Sequence, residues 1–167
     1  FVYATALERG YSPTDLILDA PFVHDQGIGL PLWKPSNYSK EFSGLTTLRQ
    51  GIEKSKNLMT VRLAQDIGMD KVSQMAKRLG VMDNLPHLLS MSLGAADTRL
   101  IDMVSAYSVF VNGGMKISPY LIEQIQDRYG KSLYKNNDSH CLGCNVAHFD
   151  EKAEVPVITD DRERVLD

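Results

Sequence analysis

Apolar residues recur at helical spacing through the middle of the chain. This periodicity predicts three consecutive helices between residues 45 and 80. The first covers residues 45–54, the second runs from about Leu58 to Gly68, and the third is capped by Asp70 and followed by Gly80. The chain is therefore predicted to be mostly helical in this part.

A fourth helix is predicted to start near Asp97 and to end at the sequence Asn112-Gly113-Gly114. Its apolar residues form two adjacent stripes. The first stripe contains Ile101, Val104 and Val111, and the second contains Leu100, Met103, Tyr107 and Phe110. A helix that is apolar over so much of its circumference is typical of a protein interior. We therefore predict that this helix is buried.

The N-terminal part of the chain is less regular. Residues 1–9 have the pattern of the end of a helix, and Gly10 suits the position that follows the last turn. Residues 11–44 contain four prolines and no clear periodicity. This segment predicts long connections, with a short strand from Ile17 to Pro21.

The C-terminal part predicts a β-hairpin. Residues 120–135 alternate between apolar and polar positions around the turn sequence Asp127-Arg128-Tyr129-Gly130. The acidic segment after residue 149 is predicted to be a loop. The expected fold class is therefore α+β, mostly helical, with one β-hairpin and long loops.

Size and charge narrow the function classes. The chain has 167 residues, 43% of them hydrophobic, which suffices for one globular domain. Its net charge of −3 argues against nucleic-acid binding, which requires a basic surface. No apolar run is long enough to span a bilayer. Because the chain opens inside the apolar run Phe1-Val2-Tyr3-Ala4 and without an initiator methionine, we expect it to belong to a longer protein.

Four sequence stretches carry more specific information. They are FVYATALERGYSPTDLILDAPF (residues 1–22), WKPSNYSKEFSGLTTLRQGIEKSKNLMTVRLAQDIG (33–68), SLGAADTRLIDMVSAYSVFVNGG (92–114) and YLIEQIQDRYGKSLYKN (120–136). Together and in this order, they resemble the transpeptidase domain of class A penicillin-binding proteins, which has a β-lactamase-like fold. The resemblance implies that residues 1–167 are the mostly helical central part of a single transpeptidase domain.

The active site of this family combines three motifs, S-x-x-K, S-x-N and K-[ST]-G. The second occurs here as Ser55-Lys56-Asn57. The resemblance implies that Ser55 is a catalytic proton relay and that Asn57 binds substrate, whereas Lys56 points elsewhere and has no assigned role. The family pattern places the S-x-x-K serine a few residues upstream of Phe1 and the K-[ST]-G motif downstream of Asp167. We expect the Ser55–Asn57 pair to lie in the break between two helices.

These motifs have two alternative interpretations. Serine and asparagine directly before a helix are ordinary N-cap residues, so a catalytically silent helical interaction module is an alternative hypothesis. The sequence Ser132-Leu133-Tyr134-Lys135 also matches S-x-x-K formally. That motif requires a helix, where residues three apart are neighbours, but Ser132 and Lys135 fall in a predicted strand. We reject this second match.

Cys141 and Cys144 form a C-x-x-C pair close to His140 and His148. Thiolate and imidazole groups suit zinc, so a small Cys/His metal-binding domain is a further alternative. Reduced thiols and a disulfide are the other possibilities. The resemblance implies a domain outside the cytoplasm, where paired cysteines usually form a disulfide.

The resemblance also implies a function. Members of the family cross-link peptidoglycan by D,D-transpeptidation of stem peptides that end in D-Ala-D-Ala, and β-lactam antibiotics acylate the same serine. It implies neither a cofactor nor a metal. It places the parent protein in the bacterial periplasm, at the outer face of the cytoplasmic membrane, with an anchor outside this chain. The chain alone is expected to be inactive, because it lacks the nucleophile.

Overall fold

The structure is a computed structural model that describes residues 1–136, 139–142, 144, 157–160 and 162–167. Within these residues the fold is mixed α+β and mostly helical, as predicted. These residues contain three two-stranded antiparallel sheets, and the predicted hairpin forms one of these sheets. No helix in this described part is long and apolar enough to cross a membrane.

The chain divides into two units, Phe1–Asp102 and Met103–Asp167. The first unit contains α1 (Val2–Glu8), β1 (Leu16–Asp19), β2 (Gly44–Thr47), α2 (Leu48–Glu53), α3 (Asn57–Ile67), α4 (Met69–Arg78) and a 3₁₀ helix (Leu89–Leu93). Helix α5 (Leu100–Val111) begins in the first unit and continues into the second. The second unit contains β3 (Gln124–Gln126), β4 (Ser132–Lys135), β5 (Ser139–Leu142) and β6 (Val157–Asp160).

Helix α3 is the centre of the first unit. It packs against α1, α4, β1 and the 3₁₀ helix, and most of its apolar side chains are buried. The buried residues are Leu58, Met59, Val61, Leu63, Ala64 and Ile67. Burial of each large apolar side chain contributes about 1.5–3 kcal/mol. The start of α3 is therefore held firmly, and it carries the Ser55-Lys56-Asn57 motif at its N-terminus.

The N-terminal helix and strand confirm their predictions. Helix α1 ends at Glu8, and Gly10 follows with a φ of +90°, the left-handed conformation that glycine adopts without strain. The amide of Tyr11 donates to the carbonyl of Ala6 (3.1 Å), which completes the C-terminal turn. The short strand predicted from Ile17 to Pro21 is β1, which starts one residue earlier and ends two residues earlier than predicted.

The predicted helix over residues 45–54 is wrong at its start. Helix α2 begins at Leu48, because Leu45 and Thr46 pair with β1 as part of β2. Thr47 then caps the helix, with its hydroxyl accepting a hydrogen bond from the Gln50 amide (3.3 Å). The apolar spacing alone does not distinguish this strand from a first helical turn, because the partner strand lies in another part of the sequence.

The prediction that Asp70 caps the third helix is wrong. Helix α4 begins at Met69 and its N-cap is Gly68, which has a φ of +95°. Gly68 is both the C-cap of α3 and the N-cap of α4, so it is the single residue between the two helices. Asp70 lies in the first turn of α4, where a carboxylate is favourable at the positive end of the helix dipole.

The prediction that the fourth helix is buried is also wrong. Of the apolar residues in α5, Ala106 and Val109 are fully buried. Residues of both predicted stripes are at least 44% exposed: Leu100, Ile101, Val104, Tyr107, Phe110 and Val111. Apolar circumference predicts burial only when other elements cover the helix, and the described part of the chain leaves these stripes open.

The second unit confirms the predicted hairpin and adds a sheet. Strands β3 and β4 are antiparallel, with Ile125 opposite Tyr134. Ser132 and Lys135 lie in β4, so the formal S-x-x-K match is not on a helix. The prediction of a loop after residue 149 is wrong for Val157–Asp160, which pairs with β5 as strand β6.

Gly114 attaches the C-terminal segment to the end of α5. Its carbonyl accepts hydrogen bonds from the amides of Val165 (2.8 Å) and Leu166 (3.2 Å). Its φ is +82°, and a Cβ atom there would collide with the carbonyl oxygen of Leu166. Alanine at this position would therefore introduce both backbone strain and a backbone overlap.

We expect Gly114→Ala to release residues 162–167. Left-handed strain costs about 1–2 kcal/mol, and the overlap adds a further cost of about 1–3 kcal/mol. Hydrogen–deuterium exchange of the Val165 and Leu166 amides should become much faster. Gly113→Ala is the matched control, because Gly113 has a similar φ of +60° but no described atom within 4 Å of its Cβ position. Equal acceleration in both variants would contradict the assigned overlap.

Candidate active site

The C-terminal turn of α2 places Ser55 in an unusual conformation. The Ser55 amide donates to the carbonyl of Ile52 (3.2 Å), and the Lys56 amide donates to the carbonyl of Gly51 (2.9 Å). These two bonds define a Schellman motif, in which the left-handed position usually belongs to glycine. Ser55 occupies that position with a φ of +49°. The serine side chain is exposed at this turn, at a backbone cost of about 1 kcal/mol relative to glycine.

Asn57 is the first residue of α3, and its side chain is held by a distant segment. Its Nδ2 donates to the carbonyl of Ser36 (3.0 Å). The motif therefore spans the break between α2 and α3, as predicted. The alternative hypothesis that Ser55 and Asn57 cap this helix is wrong, because the N-cap residue is Lys56 and it makes no side-chain cap bond.

The cap of α3 comes instead from Asn37. Its Oδ1 accepts a hydrogen bond from the Leu58 amide (3.2 Å) in the first turn of α3. Its Nδ2 donates to Asp19 Oδ1 (2.7 Å) and to the carbonyl of Glu41 (2.9 Å). Asn37 is 2% exposed, so a buried amide connects α3 to the end of β1.

Lys56 points into the interior beneath the motif. Its Nζ lies 3.0 Å from Asp19 Oδ2, and the same oxygen accepts a hydrogen bond from the Ser43 amide (2.9 Å). The Asp19 side chain is fully buried and that of Lys56 is 11% exposed. The middle residue of the motif therefore forms a buried ion pair while Ser55 remains at the surface.

The environment of Asp19 favours its charged form. Burial raises the pKa of the carboxyl group, but hydrogen bonds from Asn37, Lys56 and the Ser43 amide outweigh this effect. The resulting pKa lies below its ordinary value. Asp19 is therefore an ionised acceptor at neutral pH, with three donors directed at its two oxygens.

Sequence reasoning missed Asp19, Asn37 and the role of Lys56. Asp19 and Asn37 lie far from Lys56 in the chain, and neither belongs to a recognised motif. One local indication exists, because Asp19 ends an apolar strand and an aspartate there requires a buried partner. The sequence does not identify that partner.

The cysteines lie in the second unit, apart from this motif in the sequence. Cys141 and Cys144 are joined as a disulfide, with their Cα atoms 5.6 Å apart. In this state neither sulfur is a thiolate ligand for zinc. His148 lies outside the described residues. Within the described residues, no group of three His, Cys, Asp or Glu side chains is arranged to hold a metal ion.

Comparison with known proteins places the chain in a family. Residues 1–153 match the penicillin binding protein transpeptidase domain. The chain is 44% identical to penicillin-binding protein 1A of Rickettsia conorii over 147 residues, which are 88% of this chain and 19% of the relative. The chain thus belongs to the penicillin-binding protein transpeptidase family, and the predicted resemblance is confirmed. The chain spans about a fifth of the length of the curated relatives it matches, which are named penicillin-binding protein 1A.

Solved structures agree in fold. The crystal structure of penicillin-binding protein 1A from Haemophilus influenzae is 37% identical, with a TM-score of 0.76 over 81% of this chain and 20% of that one. The PonA1 protein from Mycobacterium tuberculosis, solved in complex with penicillin V, is 23% identical, with a TM-score of 0.69 over 80% of this chain and 38% of that one. The predicted penicillin-binding transpeptidase fold is therefore confirmed.

Proposed function

We propose that residues 1–167 are the central part of a transpeptidase domain that cross-links peptidoglycan in a class A penicillin-binding protein. The observation that supports this most directly is the exposed Ser55 on its strained turn, in a chain of the transpeptidase family. Strained backbone persists only where the surrounding structure holds it, and such residues cluster at functional sites.

The proposed reaction begins at the serine of S-x-x-K, outside this chain. Its oxygen attacks the carbonyl carbon of the penultimate D-alanine in a stem peptide, and its proton passes to a neighbouring base. The peptide bond to the terminal D-alanine breaks, and that residue leaves as a free amino acid with the proton on its nitrogen. An amine of a second stem peptide then displaces the serine, which forms the cross-link and restores the hydroxyl group.

Ser55 and Asn57 have complementary roles in this proposal. The Ser55 hydroxyl can accept one proton and donate another, as a relay between two amines requires. An asparagine amide carries two donors and an acceptor, and Ser36 uses one of the donors of Asn57. The groups that remain suffice to hold a substrate peptide bond in register.

The proposal extends to inhibitors and location. β-Lactams would acylate the same nucleophile as mimics of the D-Ala-D-Ala terminus, without a cofactor. The substrate places the site on the cell-wall side of the cytoplasmic membrane, in the periplasm. Any attachment to that membrane would come through an anchor outside residues 1–167.

Fluorescent penicillin tests this function. We expect the full-length protein that contains this chain to be labelled covalently, and the separate 167-residue chain to remain unlabelled because it lacks the nucleophile. Prior incubation with unlabelled penicillin should block the label and serves as the control. A full-length protein that takes no label, or a label on any serine of residues 1–167, would overturn the proposal.

A further inference from the structure

We infer that Lys56 and Asp19 form a positioning pair that holds Ser55 and Asn57 in their reactive geometry. This inference rests on the proposed function of the Ser55-Lys56-Asn57 motif. It assigns no contact with substrate to either residue of the pair. Lys56 and Asp19 act through the backbone of the motif.

Lys56 is fixed at three points. Its amide donates to Gly51 at the end of α2 (2.9 Å), and its carbonyl accepts from the Thr60 amide (3.1 Å) and hydroxyl (3.0 Å) in α3. Its ammonium group is held by Asp19 at the end of β1 (3.0 Å). Since Ser55 and Asn57 are bonded directly to this residue, fixing Lys56 restricts the backbone of both.

Asp19 also reaches the other side of the motif. It accepts a hydrogen bond from Asn37, which in turn accepts from the Leu58 amide. The neighbouring residue Ser36 accepts from Asn57 through its carbonyl. One buried carboxylate therefore connects to Lys56 directly and to Asn57 through the segment Ser36–Asn37.

The ionic character of the pair supports a positioning role. Apolar residues of similar size often replace a buried ion pair without loss of stability, so stability alone does not require these charges. A charged pair with three directed bonds at Asp19, from Asn37, Ser43 and Lys56, specifies one arrangement of the chain more narrowly than apolar contacts do. That arrangement keeps Ser55 in its left-handed conformation.

The test uses the full-length protein and a fluorescent penicillin. Time courses at several penicillin concentrations separate the acylation rate constant from the apparent affinity. We expect Lys56→Met to lower the rate constant by about tenfold or more, since a small misplacement of a reacting group has effects of this size. The apparent affinity should change much less. Lys56→Arg keeps the charge and should recover most of the rate.

Two further variants serve as controls. Lys54→Met removes the same charge two residues away, from an exposed lysine without a role in the pair, and should keep the parent rate. The double variant Asp19→Asn, Lys56→Met leaves no unpaired buried charge, so it should fold but acylate as slowly as Lys56→Met. A purely structural role would instead lower the fraction of protein that is labelled and leave the rate constant of that fraction unchanged.

A double-mutant cycle with Ser55 identifies the route of the effect. If Lys56 acts through Ser55, Lys56→Met should slow acylation much less in a Ser55→Ala background than in the parent. An unchanged rate constant in Lys56→Met, or an equal loss in Lys54→Met, would overturn the positioning pair and leave the proposed function intact. Failure of the parent protein to react with penicillin would overturn both.

Discussion

Ser55→Ala in the full-length protein is expected to slow acylation by penicillin by about a hundredfold or more, because a proton relay contributes on this scale. The S-x-x-K serine would remain in place but would lose one path for its proton. The measurement is the acylation rate constant from covalent labelling over time. An unchanged rate in this variant would remove Ser55 from the mechanism.

Ser55→Gly separates the hydroxyl group from the backbone conformation. Glycine adopts the φ of +49° without strain, so this variant should be more stable than Ser55→Ala by about 1 kcal/mol. Both variants lack the hydroxyl and should be equally slow in acylation. Recovery of acylation by glycine would show that turn geometry, and not proton transfer, determines the rate.

Asp19→Ala is expected to destabilise the first unit by about 3–5 kcal/mol, the usual effect of removing one partner of a buried ion pair. The change leaves the Lys56 ammonium group without its anion and deprives Asn37 and the Ser43 amide of their acceptor. Hydrogen–deuterium exchange of residues 57–67 in the full-length protein measures this loss of stability. The exchange protection of these amides should fall by about two orders of magnitude or more.

The matched control for this change is Asp83→Ala, at an exposed position. A surface substitution of this kind usually alters stability by less than about 0.5 kcal/mol. If Asp19→Ala and Asp83→Ala gave the same protection, the buried pair would make no net contribution to the fold.

The contribution of Asp19 also depends on pH. Because the pKa of the carboxyl group is lower in the folded state, its stabilisation is complete above the unfolded pKa, about 3.9, and decreases as the pH falls through the folded value. The difference in protection between the parent and Asp19→Asn should therefore narrow at acidic pH. A difference that widened on acidification would contradict the direction of the pKa shift.

Local patterns predicted the helices that depend on local interactions. The end of α1 just before Gly10, the extent of α3 and the β3–β4 hairpin follow from periodicity and turn residues, which act over a few positions. The break that holds Ser55 and Asn57 was predictable for the same reason. The left-handed conformation of Ser55 was not predictable, because serine has no intrinsic preference for that backbone conformation.

Features that depend on distant partners were beyond prediction. The start of α2 moved to Leu48 because β2 pairs with a strand that lies about thirty residues earlier. The buried pair joins residues that are 37 positions apart, Asp19 and Lys56. Pairing across such distances is determined by tertiary packing. Local patterns in a single sequence do not identify the partners.

The two open stripes of α5 have a practical consequence. Six large apolar side chains on this helix are exposed in the part of the chain that the structure describes. A contiguous apolar surface of this kind promotes self-association and takes up hydrophobic dyes. Studies of the separate chain therefore require low concentration or mild detergent, and light scattering should accompany every measurement of its oligomeric state.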